Sequence, residues 1–161
     1  MLVVADTSVF LNLVCVGHGG LLQALFAAVY APPEVKLEFD RAAGGLSRFA
    51  GLVFPQWVII QAPALPLPAL LLNAPLDPGE REAITLAAEI HADAVLIDEV
   101  AGRRIATALG LTTYGILGVL LRAKQVGCLD TIDPVLNDLA GRARFHLGAE
   151  LRRKVLRIAG E

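Results

Sequence analysis

Residues 1–13 have the sequence MLVVADTSVFLNL, in which a short apolar run ends at Asp6 and a helical pattern follows. Such a run is typical of a buried strand in a parallel sheet, because helices cover both faces of these sheets. The pattern after it predicts a helix through residues 10–16, with Thr7 or Ser8 as its N-cap. Asp6 is therefore predicted to close the first strand, at the sheet edge where α/β proteins bind their ligands.

Strands and helices alternate along the rest of the chain. Predicted strands are WVIIQ (57–61), AVLID (94–98) and the short segment 112–114. Helices are predicted over residues 21–30, 34–41, 78–91, 102–109 and 118–126, with one or two more over 134–156. The alternation predicts an α/β fold, a three-layer α/β/α sandwich around a mainly parallel sheet of four to five strands. Residues 1–161 are predicted to form a single domain, in which 130–161 are a basic helical C-terminal extension.

The composition excludes several classes of protein. Hydrophobic residues make up 55% of the chain and charged residues 19%, which excludes an intrinsically disordered protein, a coiled coil and a polycation that coats nucleic acid. The longest apolar stretch, residues 62–76, contains four prolines and is shorter than the ~20 residues of a membrane-spanning helix. No signal peptide is recognised and the two cysteines lack metal-binding spacing, so a cytoplasmic location is predicted. The apolar surplus predicts self-association as a two-fold homodimer.

Charge is unevenly distributed along the chain. Residues 1–121 hold six basic and eleven acidic side chains, a net charge of −5, whereas residues 122–161 hold eight and five, a net charge of +3. The basic side chains of the predicted helical extension are Arg142, Arg144, Arg152, Arg153, Lys154 and Arg157. Two interpretations of them stay open, a solvated helix face or a surface that binds RNA or a partner protein.

Acidic residues follow the predicted strands or begin the predicted helices. Asp6 closes the first strand, and Asp98 and Glu99 close the strand at 94–98. Glu38 and Glu80 lie near the starts of helices, which point to the same edge of a parallel sheet. Carboxylates brought this close repel one another unless a cation lies between them, and oxygen ligands without His or Cys favour Mg²⁺ or Mn²⁺.

An alternative interpretation is that each acid is an ordinary residue at a helix N-terminus, favoured by the helix dipole. It accounts poorly for Asp6 and Asp98, because both follow apolar strand segments. Helical periodicity distinguishes Glu80, which falls on an apolar stripe, from Glu82, whose stripe of polar residues at 82, 85, 89 and 93 is predicted to face solvent. Glu80 is therefore preferred over Glu82 as a ligand.

Five segments together resemble the PIN domains, and most closely the small prokaryotic VapC-like toxin ribonucleases. They are VVADTSVFLNL (3–13), PPEVKLE (32–38), LDPGEREAITLA (76–87), VLIDEVAGRRIA (95–106) and GILGVLLRAKQVG (115–127). Their order and spacing carry the resemblance, since no single segment is as specific as a Walker A loop. Residues beyond about 129 match no motif of the family.

The resemblance implies roles for particular side chains. It makes Asp6, Glu38 and Glu80 the first three catalytic acids, and either Asp98 or Glu99 the fourth. The implied metal ligands are Asp6, Glu80, Asp98 and Glu99. Ser8 is implied as the small residue that follows the first acid, and Glu82 and Arg103 are predicted as supporting residues. Because an acidic cluster repels RNA, Arg103 and Arg104, together with the arginines of the extension, are predicted to bind it. The fourth acid matches as Glu99 by spacing, where Asp is commoner in the family, so the division between Asp98 and Glu99 stays open.

The resemblance further implies hydrolysis of RNA phosphodiester bonds with Mg²⁺ or Mn²⁺, by the toxin of a toxin–antitoxin pair whose partner is a cognate antitoxin. A catalytically silent PIN-like module that binds RNA or a protein is the alternative. A phosphoacceptor receiver domain ranks third, because the chain has neither an Asp-Asp pair at Asp6 nor a lysine near Tyr114.

Overall fold

The structure is a computed structural model that describes residues 1–161. Five parallel strands form one sheet in the order β3-β2-β1-β4-β5. The strands are β1 (Leu2–Ala5), β2 (Ala28–Ala31), β3 (Ile59–Ile60), β4 (Ala94–Leu96) and β5 (Thr113–Tyr114). This arrangement confirms the predicted α/β fold with a parallel sheet.

Nine α-helices flank the sheet, and a short 3-10 helix covers Ser47–Phe49. They are α1 (Thr7–Cys15), α2 (Gly20–Leu25), α3 (Pro33–Gly45), α4 (Ala69–Leu72), α5 (Pro78–Glu89), α6 (Val100–Ala108), α7 (Ile116–Gln125), α8 (Asp133–Gly141) and α9 (Ala149–Ala159). None of these helices combines the length and the apolar character that crossing a bilayer requires.

The strand order places the ends of β1 and β4 side by side in the middle of the sheet. After β1 the chain builds outward through β2 and β3, and then returns to add β4 and β5 on the other side. A crevice forms where the order reverses in this way, and ligands of open α/β sheets bind there. Asp6 follows β1 directly, and its backbone N–H donates to the Leu96 carbonyl at the end of β4.

Two predicted elements differ from the structure. The helix predicted over 21–30 ends at Leu25, and the segment AVYA at 28–31 is instead the strand β2. This segment pairs with β1 along its length and alternates between buried and half-buried residues, so its tertiary pairing overrides the helical pattern. Only Ile59 and Ile60 of the predicted strand 57–61 are in the sheet, where they form a partly exposed edge.

Packing of aromatic rings fixes α1 against α3. The rings of Phe10 and Phe54 lie 5.0 Å apart between centroids, and Phe39 meets Phe54 edge-on at 5.2 Å. Phe10 and Phe39 are completely buried. Because Glu38 precedes Phe39 on α3, this contact also holds Glu38 close to the start of α1.

Residues beyond 130 pack on the same apolar core as the sheet. The buried cluster of 41 residues includes Leu136 and Leu139 from α8 and Val155 from α9. This part of the chain holds the helices α8 and α9, and the single domain with an extension over 130–161 stays a prediction.

Candidate metal centre

Asp6 is buried at the switch point of the sheet, which is the place between β1 and β4 where the strand order reverses. One of its carboxylate oxygens has no hydrogen-bond partner. Its Oδ2 accepts a hydrogen bond of 2.9 Å from the Ser8 hydroxyl and a longer one of 3.5 Å from the Ser8 backbone N–H. Asp6 itself is therefore the N-cap of α1, and the prediction of Thr7 or Ser8 was wrong. The carboxylate outcompetes those hydroxyls because it is the stronger acceptor. The other oxygen, Oδ1, is buried without a donor.

Glu38 joins α1 to the start of α5. Its Oε2 accepts a hydrogen bond of 2.7 Å from the Thr7 hydroxyl, and its Oε1 accepts one of 2.9 Å from the Gly79 backbone N–H. A Cβ on residue 79 would overlap the Glu38 carboxylate. Glycine is therefore required at this position for the close approach of Glu38 to the helix start.

Asp77 and Glu80 form a capping box at the N-terminus of α5. Asp77 Oδ1 accepts from the Glu80 backbone N–H at 2.8 Å, and Glu80 Oε2 accepts from the Asp77 backbone N–H at 3.2 Å. This reciprocal pair satisfies two N–H groups that a helix start leaves without partners. Glu80 Oε1 remains buried without a donor.

Glu80 is more deeply buried than Glu82, as helical periodicity predicts. Glu80 is only 3% exposed, whereas Glu82 is half-buried. The predicted polar stripe is wrong at Thr85, which is buried. Its hydroxyl donates to the Arg81 carbonyl at 2.7 Å, so that a polar side chain is accommodated within the core-facing surface.

Asp98 and Glu99 lie beyond the end of β4, on the other side of the switch point. Asp98 Oδ1 accepts a hydrogen bond of 2.8 Å from the Ile116 backbone N–H at the start of α7, and Oδ2 is buried without a donor. A Cβ on Gly115 would lie 2.7 Å from Asp98 Oδ1, so glycine permits this approach too. Glu99 is the N-cap residue of α6 and is exposed.

The buried carboxyl groups have raised pKa values because burial penalises their charged forms. Burial, with added repulsion from Asp77, raises the pKa of Asp6 from 3.8 to about 7. Burial likewise raises the pKa of Glu80 to about 7 and that of Asp98 to about 6, and it raises the pKa of Glu38. Backbone hydrogen bonds to Glu80 and Asp98 lower these pKa values, but by less than burial raises them. The positive charge of the nearby Arg103 also lowers the pKa of Asp98.

Mutual repulsion links the acids into one cluster. Asp77 and Glu80 both raise the pKa of Asp6, and Glu99 raises the pKa values of both Glu80 and Asp98. The five acids predicted to be catalytic therefore lie near enough to act on one another. Their metal-binding and catalytic roles stay predictions.

The three carboxylates that approach most closely are those of Asp6, Glu38 and Asp77. Each offers an oxygen atom, and the three oxygens lie within 4.8 Å of one another. Asp77 is missing from the predicted site. The signal for it is the DPGE sequence at 77–80, because an N-cap three residues before a ligand on the same helix start necessarily lies beside that ligand.

The donor set fits a hard divalent cation. Asp6 Oδ1, Glu80 Oε1 and Asp98 Oδ2 are all buried and all lack a hydrogen-bond donor. A buried carboxylate without a partner is costly, and a cation removes that cost while separating the like charges. Oxygen-only ligands suit Mg²⁺ and Mn²⁺. The structure thus provides a candidate site for such an ion.

A cleft of about 520 Å³ opens beside Asp98 and Glu99. Ser8, whose hydroxyl donates to Asp6, lines it from α1. Arg103 lines this cleft, whereas the adjacent Arg104 lies outside it, since neighbouring residues on a helix point in different directions. Two further arginines contribute to the wall. Arg48 is absent from the prediction, whereas Arg144 belongs to the basic extension for which an RNA-binding surface is one of the two interpretations.

Comparison with known proteins gives one match. The DUF3368 family model, described as a PIN domain, matches residues 2–161. No curated protein and no solved structure matches the chain.

Proposed function

We propose that this chain, which belongs to the PIN domain family, is a Mg²⁺- or Mn²⁺-dependent endoribonuclease. PIN domains are generally metal-dependent nucleases, and the finer assignment to RNA is our proposal. The observation that carries it is the set of three buried carboxylate oxygens without donors, on Asp6, Glu80 and Asp98, at the switch point of the sheet. Burial of this kind is costly unless a cation is the functional partner.

Asp6, Glu38 and Asp77 would hold the ion most directly, since their oxygens are already close together. Glu80 and Asp98 extend the ligand set toward the cleft. When bound, the ion supplies Lewis acidity that activates water for attack and neutralises charge on the scissile phosphate.

The surrounding residues fix the carboxylates in place before substrate arrives. The Ser8 hydroxyl orients Asp6, and Thr7 with the Gly79 N–H orients both oxygens of Glu38. Such preorganisation reduces the rearrangement needed at the moment of reaction. Glu99, exposed at the mouth of the cleft, is placed to face water or substrate rather than the core.

The biological setting is part of the proposal. We infer a toxin of a toxin–antitoxin pair in the cytoplasm, with a cognate antitoxin and a second copy of the chain as partners. Both cysteines are unpaired, as expected in a reducing compartment. Exposed apolar side chains at Leu65, Leu70 and Leu72 offer a surface for self-association. A neighbouring open reading frame for a small antitoxin would support this setting.

The test is cleavage of labelled single-stranded RNA by the purified full chain with Mn²⁺, Mg²⁺ or EDTA. We expect cleavage only with a divalent ion, and its loss in Asp6→Asn and Asp98→Asn. Asp130→Asn is the matched control, because Asp130 is exposed and lies outside the acidic cluster. If a divalent ion raises the melting temperature but the RNA stays intact, the result would contradict catalysis and favour the silent binding module. A flat melting temperature would contradict the metal site itself.

A further inference from the structure

We propose that Arg48 and Arg144 bind backbone phosphates of a single-stranded RNA that lies in the 520 Å³ cleft beside the acidic cluster. The inference rests on the proposed function for the identity of the occupant. It adds a substrate-binding role for two arginines and for the C-terminal segment that carries one of them.

The cleft is built jointly by the sheet edge and the C-terminal segment. Asp98, Glu99 and Arg103 form the side next to the acids, and Arg48 extends it from the 3-10 helix that follows α3. Residues 143–147 and Leu151 form the facing side. The volume of the cleft lies within the range of ~300–1,000 Å³ found for sites that bind small ligands. The cleft can therefore accommodate one nucleotide of a longer strand.

Ion pairs engage five of the fourteen basic residues of the protein, and none of these five is a cleft arginine. Five ion pairs neutralise Lys36, Arg41, Lys124, Arg142 and Arg152, none of which lines the cleft. Arg48, Arg103 and Arg144 line it, and no carboxylate oxygen lies within 4.0 Å of any of them. Arg103 acts on Asp98, whereas Arg48 and Arg144 have no acidic partner. Free cations beside the acidic cluster are what a polyanionic substrate needs to approach that cluster.

The backbone holds both exposed arginines in defined positions. Arg144 has φ +55°, a left-handed conformation that is uncommon outside glycine. It lies between the buried Ala143 and the half-buried Phe145, and the Phe145 N–H donates to the Leu139 carbonyl. Such strain persists where the neighbouring structure imposes it, and it clusters at ligand sites.

Arg48 is anchored in a comparable way on the other side. Its carbonyl accepts from the Cys15 thiol at 3.5 Å, and its guanidinium lies 4.7 Å from the centre of the Phe49 ring. Phe49 is itself buried. Side chains that are already ordered lose less conformational entropy when they bind a phosphate.

Only part of the basic C-terminal extension takes part. Arg142 and Arg152 are engaged with Asp138 and Asp133, and Arg153 and Arg157 do not line the cleft. Arg157 is exposed like Arg144 and lies in the same extension, which makes Arg157→Gln a control of equal charge change.

The experiment measures binding of a short fluorescein-labelled single-stranded RNA of mixed sequence by anisotropy, over a range of salt concentrations. Every variant is made in the Asp98→Asn background with Mn²⁺ present, so that the probe stays intact. We expect Arg48→Gln and Arg144→Gln each to weaken binding about tenfold. Each is also expected to reduce the salt slope by ~0.7, the value of one phosphate contact on a single strand. Arg157→Gln should change neither quantity, and Arg144→Lys should restore the slope.

Melting temperatures and cleavage assays separate the possible outcomes. Equal binding by the Arg144→Gln and Arg157→Gln proteins, both with the parental melting temperature, would overturn the inference. If the otherwise wild-type chain still cleaves RNA in that case, the proposed function stands without it. RNA that binds through Arg48 and Arg144 but is never cleaved would support the inference and refute the nuclease. A chain that binds no RNA would refute the inference. This outcome includes the case in which the cleft binds only a protein.

Discussion

Replacing Asp6 by asparagine is expected to stabilise the protein when no divalent cation is present. The wild-type carboxyl group ionises near pH 3.8 in the unfolded chain and near pH 7 in the folded one. Because the folded pKa is the higher, stability falls as the pH rises from about 4 to about 7 and changes no further above that. Relative to strongly acidic solution, where the group is protonated in both states, the folded state loses about 2 kcal/mol at pH 5, because folding must then take up a proton. The loss is about 4 kcal/mol at pH 8, where the buried carboxylate is ionised.

Asparagine avoids this cost and preserves the local structure. It is as good an N-cap as aspartate, and its oxygen can replace Oδ2 as the acceptor for both Ser8 donors. The NH₂ group of the asparagine then occupies the position of Oδ1, which has no donor in the wild-type protein. It can donate hydrogen bonds to the neighbouring carboxylates. For a chain of 161 residues the gain at pH 8 corresponds to roughly 10 °C in melting temperature.

Thermal unfolding followed by circular dichroism tests this, at pH 5 and pH 8, with EDTA and then with Mn²⁺. Wild-type protein should gain stability from Mn²⁺, by about 2.7 kcal/mol at a concentration one hundred times Kd, and the Asp6→Asn variant should not. Asp130→Asn should follow wild type throughout. The reasoning is refuted if Asp6→Asn is the less stable protein at pH 8 in EDTA, or if its advantage is the same at both pH values.

Three further expectations concern the surroundings of the cluster and the surface. Gly79→Ala displaces Glu38, and calorimetry should show a loss of about 1–3 kcal/mol of stability together with weaker Mn²⁺ binding; an unchanged affinity would contradict the role of Glu38. Glu161→Gln removes an acceptor for Lys124 Nζ and for two backbone N–H groups near α8. These contacts lower the pKa of Glu161 from 4.5 to about 2, so the variant should melt at a lower temperature than wild type at pH 7. The difference between the two melting temperatures should disappear as the pH falls from about 4.5 to about 2. Sedimentation velocity should show a two-fold dimer that Leu70→Glu dissociates, and a monomer at high concentration would reject it.

The sequence allows prediction of four of the five strands and most of the acidic edge, because these depend on local signals. An apolar run that ends in an acid locates Asp6, and helical periodicity distinguishes Glu80 from Glu82. Matching these to the PIN domain family, now supported by the family model, adds Glu38. Their proximity follows from topology, since the ends of parallel strands and the starts of the helices meet at one edge.

The features that sequence analysis missed depend on contacts between distant segments. Residues 28–31 have a helical pattern and become a strand only because β1 lies beside them. Arg48 and Arg144 are separated by most of the chain, and nothing local distinguishes Arg144 from the paired Arg142. Asp77 differs, because its capping-box sequence is a local signal that was available.

The burial that organises the acids is also the reason that they need a cation. Asp6 and Glu80 are held by strand and helix ends inside the fold, which fixes their geometry and removes the water that would otherwise solvate their charges. The fold therefore accepts a lower stability in the metal-free state at neutral pH in exchange for a site that is ordered before the ion arrives. A site of the same residues on the surface would be more stable without metal and would bind it less well. The higher stability expected for Asp6→Asn without metal and its expected failure to bind Mn²⁺ are thus two consequences of one placement, at the end of β1.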